Sequence, residues 1–189
     1  MNTQRAPFDA ATRWLHWITV VLVIAQFVSI WLHQGATDSA SAHALLTLHR
    51  SLGVSVWVVT LARLIWRCTG AFLPPFPDAM SALHRAAAKT SEYALYALLL
   101  AQPLMGLGMS LARGRAFDLF WASVPSIMAR DKALASAFGA AHEIGGWALL
   151  VLVGLHSAAA LAHHFVLKDG VLSSMAPVFR RGARARTTP

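Results

Sequence analysis

The stretch Ala140–Lys168, AAHEIGGWALLVLVGLHSAAALAHHFVLK, decides the fold. Between His142 and Leu167 its single formally charged side chain is Glu143, yet it holds four histidines. At about 1.5 Å of rise per residue, it is long enough to cross a hydrocarbon core of about 30 Å. His142 and His156 then stand about 21 Å apart along the axis. Their fourteen-residue separation brings the second imidazole back to within about 40° of the first. A titratable side chain at such depth is expensive and marks a functional position. Two on one face require partners from other helices.

Composition agrees with a membrane class. The 189 residues are 57% hydrophobic and 13% charged, about half the charge of a soluble domain. The net charge of +8 is spread between apolar runs rather than along one helix face, which fits membrane topology and anionic lipid and excludes a nucleic-acid stripe. Cys68 is the only cysteine, so neither an internal disulfide nor a C-x-x-C-H attachment is available, and any haem is held non-covalently.

Three further spans precede this stretch. The first covers about 14–32 and contains His16 and Gln26, with tryptophans 14, 17 and 31 forming an aromatic belt. It follows Arg13 without a small-residue cleavage site and reads as a retained span, with Thr12 as its N-cap. Residues 33–46 read as a loop. The second span covers about 47–66, beginning at His49-Arg50, and is closed by Pro74, Pro75 and Pro77. Residues 80–92 read as a short amphipathic lead-in to a third span over about 93–111, and residues 112–139 as a long polar connection. The expected architecture is an all-α, integral-membrane four-helix bundle over residues 1–175, with a basic, disordered cytoplasmic tail over 176–189. Eleven of the sixteen Lys and Arg fall on the side of both termini, which places the termini in the cytoplasm by the positive-inside rule.

This topology sorts the histidines by depth. His49 and His142 open the second and fourth spans on the outer side. His16 opens the first span on the inner side, and both His156 and His163 on the fourth run back toward that level. Spacing alone does not choose between the latter two. A bis-histidine pair on facing helices is a clamp for haem held edge-on in a bundle core. Gly53 and Gly146, each four residues beyond a histidine, would clear the same face for a flat ring, and Gly106, Gly108 and Gly154 would do likewise. Zinc or copper fits less well, because such sites gather closer ligands, often with cysteine or carboxylate. His33, His43 and His84 read as loop or interface residues.

The segments RWLHW, LHRSLG, ARLIWR, PPFP, LYALLLAQPLMG, AAHEIGGW and GLHSAAALAHHFVLKD together resemble the bacterial four-helix branch of the cytochrome b561 family over nearly the whole chain. The resemblance implies two b-type haems in the bacterial inner membrane, with axial ligands at His16, His49, His142 and His156, which favours His156 over His163. It also implies a ubiquinone site near the cytoplasmic haem, with His163 beside it, and in some members oxidation of periplasmic superoxide. Glu92 stands where relatives often have histidine. Arg50 is a candidate partner for a haem propionate or an ordinary interface anchor. Arg113, Arg115, Arg130 and Lys132 are candidates to concentrate superoxide, diluted by Asp118 and Asp131, or members of a plain solvated loop. Arg63 and Arg67 would meet a quinone headgroup or mark the membrane edge. The expected role is therefore electron transfer between a periplasmic-side donor and ubiquinone. The competing readings are a cytochrome b subunit of a larger dehydrogenase or hydrogenase and a cofactor-free carrier.

Overall fold

The computed structural model describes residues 6–77 and 80–176. Four helices are long and apolar enough to cross a membrane. They are α1 (Ala10–Gly35), α2 (Ser39–Thr69), α3 (Ala82–Ala112) and α4 (Lys132–Ala162), the last continued by a π-helical turn, His163–Leu167. A two-stranded antiparallel hairpin, β1 (Phe117–Leu119) and β2 (Ala122–Val124), lies between α3 and α4, and a short α5 (Val171–Met175) follows the π turn. We call the end of the bundle that carries the β hairpin the hairpin end, and the other, where α1 begins and α5 lies, the terminal end. Of the basic tail, residues 177–189 lie outside the described residues.

The helices are longer than the apolar runs that announce them. Residues 39–46 are helical and not a loop, because the Asp38 carboxylate accepts from the Ser41 amide at 2.8 Å and starts α2 there. Residues 82–92 are the first turns of α3 itself, capped by Ser81. The connection after α3 ends at Asp131, which caps α4 through the Leu134 amide at 2.9 Å. The N-cap of α1 is Asp9 and not Thr12. Its carboxylate accepts from the Thr12 amide and hydroxyl at 2.9 and 2.6 Å, the Trp66 indole at 3.0 Å and the Phe72 amide at 3.2 Å. One carboxylate thereby ties the start of α1 to the end of α2.

Trp14, Val21, Ile24, Val58, Ile65, Val151 and Leu155 are exposed, as a lipid-facing surface requires. The buried centre takes one residue from each helix: Val23, Val56, Leu99 and Leu149. Helix α1 packs on α2 and α3 on α4, and α2 joins the two pairs through α3, whereas backbone contact between α1 and α4 is sparse at best among the described residues. The first and fourth helices therefore flank the loosest seam of the bundle.

Candidate functional site

Above and below the apolar layer lie two polar layers, each again built from all four helices. The spacing is heptad-like. On α2 the layers are occupied by His49, Val56 and Arg63, and on α4 by His142, Leu149 and His156, seven residues apart as the seam of a left-handed bundle demands.

In the hairpin-end layer the rings of His49 and His142 face each other with centroids 6.2 Å apart. Each imidazole has its Nδ1 against a main-chain carbonyl of another helix: His49 to Gln26 at 3.1 Å and His142 to Gln102 at 2.9 Å. A carbonyl only accepts, so both Nδ1 atoms carry the proton and both Nε2 atoms keep a lone pair. The Gln26 amide, 3.1 Å from His49 Nε2, donates to that lone pair. Beside the pair lies a cavity of about 440 Å³, lined among others by Gly53, Gly106, Glu143 and Gly146. Gly146 borders open space, while Gly53 faces the Gln26 amide. Gly106 and Gly108 also admit the side chains of His142 and Phe138 from α4 at close range. Gly154 has nothing within 4 Å of a built Cβ.

In the terminal-end layer His16 and His156 face each other at 6.4 Å between centroids. Arg63 and Tyr96 complete this layer, the guanidinium lying 5.3 Å from the Tyr96 ring centre. His163 is not part of it. Its Nδ1 stands 2.5 Å from Asp169 Oδ2 in the turn beyond α4. Arg67 is bonded to Glu92 at 2.8 and 3.1 Å. Arg63, expected to meet a quinone headgroup or mark the membrane edge, stands in this layer; Tyr96 beside it was not foreseen, although the fourteen-residue interval that links His142 to His156 also links His49 to Arg63.

At the hairpin end, Arg50, Arg113 and Arg115 converge on a second cavity of about 310 Å³, walled by Phe117. Arg50 lies 5.5 Å over the Phe117 ring. Both acids expected to dilute this charge also bond other groups. Asp131 caps α4, and Asp118 takes a 2.7 Å bond from His43, which, with further hydrogen bonding from Ser123, holds its carboxyl below the usual range. His43 and His84 lie within helices, as does His33, which bonds the Ala42 carbonyl at 2.8 Å.

Residues 7–177 match the family model described as prokaryotic cytochrome b561. The chain belongs to the prokaryotic cytochrome b561 family. Among similar proteins, cytochrome b561 homolog 2 of Escherichia coli (strain K12) is 32% identical over 162 residues, 85% of this chain and 86% of its own. A protein of Yersinia pestis named as a probable superoxide oxidase, CybB, is 28% identical over 86% of this chain and 92% of its own length. Cytochrome b561 homolog 1 of E. coli (strain K12) is 28% identical over 90% and 97%. This cytochrome b561-family chain is thus a multi-pass bacterial membrane protein, and membership implies b-type haem.

Proposed function

We propose that the protein carries electrons across the bacterial inner membrane through two haems, one held by His49 and His142 and the other by His16 and His156. The observation that carries this reading is the pair of facing imidazole couples at two depths. The ring centres of the couples lie 6.2 and 6.4 Å apart, which leaves room for a metal held between two imidazole nitrogens at about 2.0 Å each. Each couple supplies only two donors, and no cluster of three or more His, Cys, Asp or Glu side chains able to hold a metal occurs among the described residues. Two donors would suit the iron of a haem better than a bare metal ion. The cavity beside Gly146, at the loose α1–α4 seam, gives a flat ring room to enter.

Bound haem supplies a one-electron ferric/ferrous couple at each level. The protein does the rest. The Gln26 and Gln102 carbonyls fix the outer imidazoles as Nδ1–H tautomers, so that Nε2 of each would be the nitrogen offered to the metal. Arg50, Arg113 and Arg115 form a cationic mouth that raises the local concentration of a small anion such as superoxide. At the terminal end, Asp169 holds His163 by Nδ1 and leaves Nε2 free to accept a hydrogen bond from a quinol hydroxyl. His163 therefore serves the quinone and not iron.

The test is a redox difference spectrum with haem quantification on the purified protein and on His→Ala variants at 16, 49, 142, 156 and 163. One haem is lost from each of the first four, and both are kept by His163→Ala. A protein that stays colourless when expressed with ample haem ends this reading. Quinone reduction driven by superoxide no faster than without protein removes superoxide as the donor.

A further inference from the structure

Arg63 is a cation placed within the bundle, on the span of α2, and neither histidine clamp needs it as a ligand. It lies fourteen residues beyond His49 on the same face of α2, at the level that His156 occupies on α4, in the layer that also holds His16. It packs against the Tyr96 ring, 5.3 Å from its centre. The Glu92 carboxylate is bonded by Arg67. A cation at this depth, away from its own carboxylate, is expensive unless it serves the site beside it.

We propose that Arg63 sets the direction of electron flow, by making the terminal-end site the stronger electron acceptor of the two. The inference rests on the dihaem reading above. Reduction adds one electron and no proton to the site, so a fixed positive charge nearby favours the reduced state. In the exchange the hairpin-end site loses one electron and the terminal-end site gains one, with no bond made or broken.

The imidazoles point the same way. At the hairpin end both Nδ1–H groups are donated to carbonyls, which makes the ligands more basic and favours the oxidised metal. At the terminal end His16 Nδ1 is buried without a hydrogen-bond partner among the described residues. The opposing charges are Arg50, Arg113 and Arg115 at the hairpin end. They line an open mouth, where water and salt weaken them, and Asp118 and Glu143 act against them. Arg63 acts across the lower dielectric of the bundle.

Potentiometric titration of the haem-loaded full chain in nanodiscs, followed optically, tests this. His49→Ala, which keeps the terminal-end haem, identifies that site's step. We expect it to be the higher of the two. Arg63→Gln should lower it by about tenfold in its reduction equilibrium, which is about 59 mV for one electron, and move the other step less. Arg63→Lys should restore most of the shift. Added salt should lower the hairpin-end step and leave the terminal-end step in place. Two bound haems with both steps unchanged in Arg63→Gln overturn the proposal. So does a terminal-end step that proves the lower one, which decides the matter even if Arg63→Gln fails to hold its haem. A wild-type chain that binds no haem instead refutes the underlying reading.

Discussion

Single side chains decide how closely the layers can be built. Gly106 admits the His142 ring, whose Cε1 would lie 3.1 Å from a Cβ at that position. Gly106→Ala should therefore push the imidazole off its carbonyl, at a cost of about 1–3 kcal/mol for overpacking, and disturb the hairpin-end haem alone. Absorbance and haem content of the variant check this, and an unchanged hairpin-end signal would contradict it. Asp9 shows the same dependence on one group. Desolvation pushes its carboxyl up, but bonds from Thr12, Trp66 and Phe72 outweigh it, leaving the group below its ordinary value of 3.8. A carboxyl lowered by folding contributes stability above its unfolded pKa and loses it as pH falls through the folded one. The wild type should lose stability below about pH 4, and Asp9→Asn should flatten that part of the profile, read by thermal unfolding in detergent. Asp9→Ala should lower stability by about 1 kcal/mol or more through loss of the cap.

At the scale of elements, hydropathy made the spans legible but not their ends. Apolar runs report only what lies in lipid, so the first turns of α2 and α3, rich in alanine, serine and histidine, read as loop or lead-in. Their caps, Asp38 and Ser81, were present in the sequence as start signals. The pairing of histidines by depth followed from counting along antiparallel spans, and the heptad bringing Arg63 into line with His49 was equally countable. What could not be counted was the side-chain company: Tyr96 under Arg63, or Asp169 beside His163. The hairpin between α3 and α4 was hidden because its strands have only three residues each. Its entry turn is sharp. Gly114 has φ +66°, and a Cβ there would meet the Arg130 backbone at 2.6 Å. Gly114→Ala should combine left-handed strain of about 1 kcal/mol with that clash, lowering the melting temperature and loosening the cationic mouth. Limited proteolysis of residues 113–131 would report the loosening, and a pattern identical to wild type would argue against it.

For the whole molecule, orientation is the open expectation, and the eleven-to-five division of basic residues predicts it. A fluorescent protein fused at the C terminus should glow, and an alkaline phosphatase fused there should stay inactive; the opposite pair of results would invert the proposed current. The termini end is also fastened across the seam, because Trp17 Nε1 donates to the Met175 carbonyl at 3.2 Å and the Phe8 amide to that of Ser174 at 3.1 Å. That seam joins α1 to a helix that a ribosome makes after the other three spans. Neither proposed clamp would have both jaws until α4 has emerged, so pigment uptake would belong to the close of biosynthesis, and a nascent chain arrested after α3 would be pale however much porphyrin the cell provides.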